Sequence, residues 1–249
     1  RVNALTIVGD AFARPLLDAL EKRAYDLSSL RILTSSGAIL AAALKEEFLR
    51  AMPGLRILDA LGSSESGQQA SQISRSGEKA SSGDFVLVED NVILSEDFSQ
   101  VVPTGSDEQG WLARRGFVPL GYYRDAEKTR KTFPVVEGVR YSVPGDRAVA
   151  EADGRLRLLG RESVTINSGG EKIFAEEVEQ ALKHHPSVYD AVVVGTPHER
   201  WGQQVTAIVE LREGASASEE ELRRATEAQI ARFKLPRAFV FVDRILRSP

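Results

Sequence analysis

The sequence predicts a mixed architecture: an α/β portion, a small β-barrel-like subdomain and a small α+β domain, in that order. Three observations carry this. Helix and strand periodicities alternate over the first 60 residues; short apolar runs alternate with turns from Asp84 to Gly160; and mixed helix and strand return after Arg161. Residues 1–83 are therefore expected to form the α/β portion, 84–160 a β-rich subdomain, and 161–249 a separate small domain.

In the first portion, Leu16, Leu17 and Leu20 recur at helical spacing and predict a helix over Phe12–Arg23. Leu30–Thr34 is a short strand, followed by the small-residue loop Ser35-Ser36-Gly37-Ala38. Ile39–Met52 reads as a helix with Leu40, Leu44 and Phe48 on one face, stopped by Pro53-Gly54. Leu55–Ala60 is the next strand, and it runs into a second small-residue loop, Gly62 to Gly67. Strand, helix, strand at this spacing is a βαβ unit with a parallel pair. Ser63 to Gly83 is rich in Ser, Gly and Gln, and is too short for a disordered tail.

The middle portion offers strands at Phe85–Val88, Val92–Leu94, Val101-Val102, Trp111–Ala113 and Arg155–Leu159, between turns such as Pro103-Thr104-Gly105 and Ala152-Asp153-Gly154. Ala126–Thr132 is its one helical stretch. Beyond Arg161, Glu162–Lys172 is polar and contains glycine. Phe174–His184 and Ser218–Ile230 read as helices, and Val188–Val194, Val205–Leu211 and Ala238–Val242 as strands. Glu219-Glu220-Glu221 fits an acidic first helical turn.

Composition narrows the function classes. At 42% hydrophobic and 27% charged, the chain has an ordinary globular balance. A net charge of −4 argues against nucleic acid or an anionic membrane as the main partner. No run approaches the roughly 20 apolar residues of a membrane span. With no cysteine, thiol nucleophiles, disulfides and cysteine-held metals are excluded, and a cytoplasmic location is expected. His184, His185 and His198 lack metal-ligand spacing and read as structural.

Both small-residue loops leave the carboxyl ends of neighbouring parallel strands, where open α/β sheets bind ligands. Gly62-Ser63-Ser64-Glu65 combines flexible backbone, two hydroxyls and a carboxylate, a set that can meet phosphate oxygens and Mg²⁺, although a polar surface loop has the same composition. Asp146 in Pro144-Gly145-Asp146 can accept ribose hydroxyls or simply make a turn. The paired glycines of Ser168-Gly169-Gly170 allow close backbone approach, and a plain interdomain connection needs them too. There is no Gly-Lys-Ser/Thr phosphate loop and no nucleophile elbow.

Taken in order, Ser36-Gly37-Ala38, Leu61 to Glu65, Pro144-Gly145-Asp146, and Gly160-Arg161 through Ile173 resemble the adenylate-forming superfamily of acyl-CoA synthetases, luciferases and peptide-synthetase adenylation domains. Gly121-Tyr122-Tyr123 to Thr129 and Ser163 to Lys172 are most similar to bacterial fatty-acyl-CoA synthetases, some of which act on sterol side chains. The resemblance implies an ATP-dependent acid–thiol ligase using ATP, Mg²⁺ and CoA on a fatty-acid or sterol-derived carboxylic acid. It implies that Ser36, Gly37, Ala38, Ala60, Leu61, Gly62, Ser63, Ser64, Asp146 and Arg161 bind nucleotide and that Glu65 holds the metal. Arg161, Glu162 and Ser163 would form a hinge, and Ser168, Gly169 and Gly170 would line the pantetheine tunnel.

Two alternatives share these motifs: an adenylation domain that loads a carrier protein, and a stand-alone nucleotide-binding module. There are also departures from the family pattern. Ser163 stands where the hinge Asp or Lys is usual, and Asn167 where a lysine is common. The upstream phosphate loop is not within the chain. The carboxy-terminal catalytic lysine is expected just past Leu246-Arg247-Ser248-Pro249, so the chain is expected to be a portion of a longer enzyme and inactive by itself.

Overall fold

The computed structural model describes residues 1–88 and 90–246. It divides into two compact units, Arg1–Leu158 and Leu159–Pro249.

In the first unit, β1 (Ala4–Ile7), α1 (Gly9–Lys22), β2 (Ile32–Ser36), α2 (Ala42–Ala51) and β3 (Arg56–Ser63) make two successive βαβ turns, with β1, β2 and β3 parallel. Ala13 and Leu17 of α1 and Leu44, Phe48 and Leu49 of α2 are buried against Ile7, Leu33 and Ile57 of the strands. The i, i+4 spacing of those residues dictates that face. α2 begins at Ala42, three residues later than periodicity predicts. The N–H groups of Ala41 and Ala42 are met by Asp10 Oδ1 at 2.7 Å and Ser82 Oγ at 2.7 Å, so Leu40 and Ala41 are buried without being helical.

The chain then turns back as β4 (Gly67–Arg75), antiparallel to β3, and continues through β5 (Asp84–Leu87), β6 (Asn91–Leu94) and β7 (Gln109–Arg114). After α3 (Ala126–Thr132) come the two-residue strands β8 (Val135–Val136) and β9 (Val139–Arg140), then β10 (Asp146–Ala150) and β11 (Arg155–Arg161). One sheet of nine strands runs β1-β2-β3-β4-β5-β11-β10-β7-β6, so the strands between 84 and 160 extend the α/β sheet, except β8 and β9, which pair with each other. β4 falls inside the stretch read from composition as polar and biased. Its Gln69, Ala70 and Ser74 face inward while Ile73 is exposed, which inverts the usual hydrophobic signal. Val101, expected in a strand, makes a single bridge to Leu94.

A buried ion pair ties this sheet to α2. Lys45 is fully buried, its Nζ lies 2.8 Å from Asp59 Oδ2, and it donates to Gln72 Oε1 at 2.9 Å and to the Ser81 carbonyl at 2.8 Å. Burial pushes the Asp59 carboxyl up from its ordinary value, and Lys45 opposes that shift.

In the second unit, β12 (Thr165–Ser168) and β13 (Glu171–Phe174) form a hairpin inside the stretch read only as polar. α4 (Ala175–Lys183), β14 (Val188–His198), β15 (Gly202–Leu211), α5 (Glu219–Glu227) and β16 (Ala238–Val242) follow. β14 and β15 are a long antiparallel pair, and β16 adds to β15 in parallel. Val178, Leu182, Val193, Val205, Val209 and Leu222 build this unit's core. Ser218 and Glu221 form a reciprocal capping box on α5, consistent with the acidic first turn read from sequence. Among the described residues no helix is long and apolar enough to cross a membrane. The expectation about Arg247-Ser248-Pro249 lies outside the described residues.

Replacing Lys45 with Met should leave Asp59 buried without its counter-charge and cost about 3–5 kcal/mol, read as a shift of the urea unfolding midpoint. Ser218→Ala, which removes an exposed cap, should cost about 1 kcal/mol by the same measurement.

Candidate functional site

β2 and β3 end side by side, with Ser36 opposite Ala60 in the parallel register. This sets the start of the Ser36-Gly37-Ala38 loop beside Ala60 at the end of β3, where the resemblance implies one nucleotide binds. Gly37 and Ala38 are exposed, while Ser35 beneath them is buried and its Oγ accepts from Gly9 N at 3.2 Å. A small-residue rim therefore stands on a fixed floor.

Beyond Leu61 the β3–β4 ladder is bulged, and Gly62 and Ser63 pair with Gln68 and Gly67 to close a tight hairpin. A Cβ on Gly62 would lie 2.3 Å from the Gly67 carbonyl oxygen, so no side chain fits there. Ser64, Glu65 and Ser66 form the tip. Ser63 Oγ accepts from the N–H groups of Glu65 and Ser66, each at 3.2 Å, and lies 2.9 Å from Ser66 Oγ. Ser66 Oγ also donates to Gln69 Oε1 at 2.8 Å. Ser63 is thus committed to holding the turn, and Ser64 is the exposed hydroxyl of the loop.

The far part of the sheet reaches this tip. Arg114, at the end of β7, donates to the Ser66 carbonyl at 2.6 Å, and Ser142 Oγ donates to the Glu65 carbonyl at 2.9 Å. Tyr122 Oη donates to Glu65 Oε1 at 2.6 Å. That hydrogen bond is the largest influence holding the Glu65 carboxyl below its ordinary value, with Lys128 adding a smaller electrostatic pull. Burial, and then Glu65 itself, push the Tyr122 phenol up. Glu65 is therefore an ionised carboxylate at neutral pH, only partly buried.

Among the described residues no group of three or more His, Cys, Asp or Glu could hold a metal ion. One carboxylate beside hydroxyls still suits Mg²⁺, which is usually bound by one or two protein carboxylates plus waters and substrate phosphates.

Asp146 opens β10, four residues after Ser142, and is 2% exposed, more enclosed than a turn residue. Arg147 next to it pairs with Glu96 and lies over the Trp111 ring, 4.2 Å from its centroid.

The remaining predicted residues belong to the second unit. Arg161 is exposed, with its N–H 3.4 Å from Glu176 Oε1, and Glu162 and Ser163 begin a short 3₁₀ turn. Ser168 ends β12, and Gly169 and Gly170 make the β12–β13 turn with φ of +62° and +93°. Gly169 N donates to the Trp201 carbonyl at 2.9 Å. The Arg200 and Arg237 guanidinium groups each lie 4.6 Å from the centroid of the Trp201 ring.

Reading the sequence alone did not single out Arg114, Ser142, Trp201, Arg200 or Arg237, and it noted Tyr122 only as part of a resembling stretch. A lone Trp flanked by Arg was the one local signal available.

The chain thus carries two small-residue loops on a parallel sheet, an acidic hairpin tip and a second α+β unit, an arrangement that comparisons with known proteins relate to the adenylate-forming enzymes. Residues 177–248 match the family model of the AMP-binding enzyme C-terminal domain. The chain is 51% identical over its whole length to the medium-chain acyl-CoA ligase Mig of Mycobacterium avium, and 47% identical to the 3-oxocholest-4-en-26-oate–CoA ligase of Rhodococcus rhodochrous. It covers 45% and 46% of those proteins, so it spans about half the length of the curated relatives it matches. Its fold superposes on ATP-bound MatB from Rhodopseudomonas palustris with a TM-score of 0.83 at 25% identity, covering all of this chain and 48% of that one. The anthranilate CoA ligase AuaEII in complex with anthranoyl-AMP gives 0.82 at 28% identity, over 99% of this chain and 47% of that one.

Gly62→Ala should cost about 1–3 kcal/mol in urea unfolding, because the new methyl meets backbone that cannot yield. Glu65 should titrate below 4.5 in carboxyl ¹³C NMR, and Tyr122→Phe should move it up toward that value. A depressed carboxylate stabilises the fold above its unfolded pKa and loses that contribution as pH falls through the folded one. The acid limb of wild-type stability below about pH 4.5 should therefore be shallower in the variant.

Proposed function

We propose that this chain supplies the adenosine- and magnesium-binding half of the site, and the hinged second domain, of an ATP-dependent acyl-CoA synthetase. The observation that carries the reading is the register that sets Ser36–Ala38 beside Ala60–Leu61, with the ionised Glu65 at the adjoining hairpin tip. The two loops form a slot for an adenine, and Ser64 and Glu65 face its phosphates, Glu65 through Mg²⁺. Asp146 and Arg161 take the ribose hydroxyls. Mg²⁺, when bound, offsets the charge that develops on the phosphates.

In the first half-reaction a carboxylate oxygen of the acid attacks the α-phosphorus of ATP. The bond to the bridging oxygen breaks, giving acyl-AMP and pyrophosphate. In the second, the CoA sulfur attacks the acyl carbon, the acyl–phosphate bond breaks, AMP leaves and the thiol proton passes to solvent. Arg161, Glu162 and Ser163 are the hinge about which the second domain turns between the two steps.

CoA is favoured over a carrier protein by the Gly169-Gly170 turn and its neighbour Trp201. An indole flanked by two guanidinium groups suits a nucleotide with phosphates. The acid belongs to the medium- or long-chain fatty or sterol side-chain acids, the classes named for its relatives.

The test is thioester formation by the complete enzyme with ATP, Mg²⁺, CoA and a set of such acids, followed by chromatography of the acyl-CoA. Conversion of CoA is the expected result; loading of a phosphopantetheinyl carrier with no use of free CoA would reverse the choice. The 249-residue chain by itself should bind ATP more weakly than about 1 mM in calorimetry and form no thioester, because phosphate and acyl contacts come from the rest of the enzyme. Turnover by this chain alone contradicts the proposal.

A further inference from the structure

We propose that Tyr122 is the positioning residue of the Glu65 carboxylate, orienting it for the metal–nucleotide complex from a cradle built at the start of α3. The proposal rests on the reading of Glu65 as the magnesium ligand.

The backbone of the hairpin tip is fixed by Ser63, Arg114 and Ser142. Those bonds leave the three torsions of the glutamate side chain open. Tyr122 Oη closes them, donating to Oε1 at 2.6 Å across 57 residues of sequence. A ligand held by a rigid donor meets a cation without first losing freedom, and partners of this kind tune ligand orientation and basicity.

Tyr122 is itself tightly held. Its N–H donates to Thr129 Oγ1 at 2.9 Å, and that hydroxyl donates to the Asp125 carbonyl at 2.7 Å. Asp125 caps α3 by accepting from Lys128 N at 2.9 Å. The neighbouring Gly121 sits at φ +152°, and a Cβ there would lie 2.4 Å from Thr129 Cγ2, so this approach requires glycine. The phenol ring packs on Phe133 at a centroid distance of 5.8 Å, and the Lys128 ammonium lies 4.0 Å from the ring centroid on top of it. A seven-residue helix of about two turns thus serves to aim one hydroxyl. The depressed Glu65 carboxyl agrees with this geometry.

The test uses the complete enzyme that contains this chain, with a non-hydrolysable ATP analogue and Mn²⁺, and reads protein-retained Mn²⁺ by equilibrium dialysis. Tyr122→Phe, which keeps the ring on Phe133, is expected to weaken Mn²⁺ retention about tenfold or more. Glu65→Gln should do at least as much. Tyr122→Phe should add nothing to Glu65→Gln, because the group it orients is then gone. A lowered melting temperature with wild-type Mn²⁺ retention would make Tyr122 merely structural and overturn the proposal, as would additive losses in the double variant. A loss on Glu65→Gln with none on Tyr122→Phe sinks the positioning role and leaves the ligand assignment standing. No loss on Glu65→Gln, or no Mn²⁺ retained by wild type, overturns both.

Discussion

The β3–β4 hairpin tip is held by groups that lie 48, 57 and 77 residues further along the chain: Arg114, Tyr122 and Ser142. Each meets it at a different atom, two at backbone carbonyls and one at the Glu65 carboxylate. Without them a turn of Ser-Ser-Glu-Ser would be a mobile surface loop, since its own Ser63 hydrogen bonds restrain only local backbone. With them, the far strands of the nine-stranded sheet act as a brace for the site. The segment between 84 and 160 therefore does more than add core: Arg114 at the end of β7, and Tyr122 and Ser142 in the connections that follow it, are the donors that hold this tip.

Behind this brace lies the Lys45–Asp59 pair. Asp59 directly precedes Ala60, the residue set opposite Ser36, so the buried charge fixes the strand next to the point where it meets Ser36. A fully buried lysine is costly unless well coordinated, and Gln72 and the Ser81 carbonyl supply that coordination. The same network draws the 76–83 connection over α2, where Ser82 completes the helix N-terminus. Site geometry and helix capping thus share one polar cluster.

Much of the frame was legible in the sequence because it is locally encoded. Ala126–Thr132 could be read residue for residue as a helix, and the acidic run Glu219-Glu220-Glu221 announced the start of α5. The βαβ periodicity placed Ser36 and Ala60 at adjacent strand ends, and the loop composition singled out Glu65. β4 was not legible, because Gln69 and Ser74 face the interior and Ile73 faces out, so alternation gives the wrong answer. The β12–β13 hairpin was hidden for a related reason: its ends are polar and its turn is two glycines, features shared with any connection.

By itself the sequence determined what depends on near neighbours: the apolar faces of the helices, the acidic first turn of α5, the small-residue loops after parallel strands, and the order of motifs that resembles the adenylate-forming enzymes. Tertiary structure decided everything that rests on contacts across tens of residues. It set the register of Ser36 against Ala60, buried Asp146, stacked Arg237 on Trp201, and joined Tyr122 to Glu65. The physical reason is range. Propensity and periodicity act over a few residues, whereas a hydrogen bond between a hairpin tip and a phenol 57 residues away exists only once the sheet has formed and brought them together.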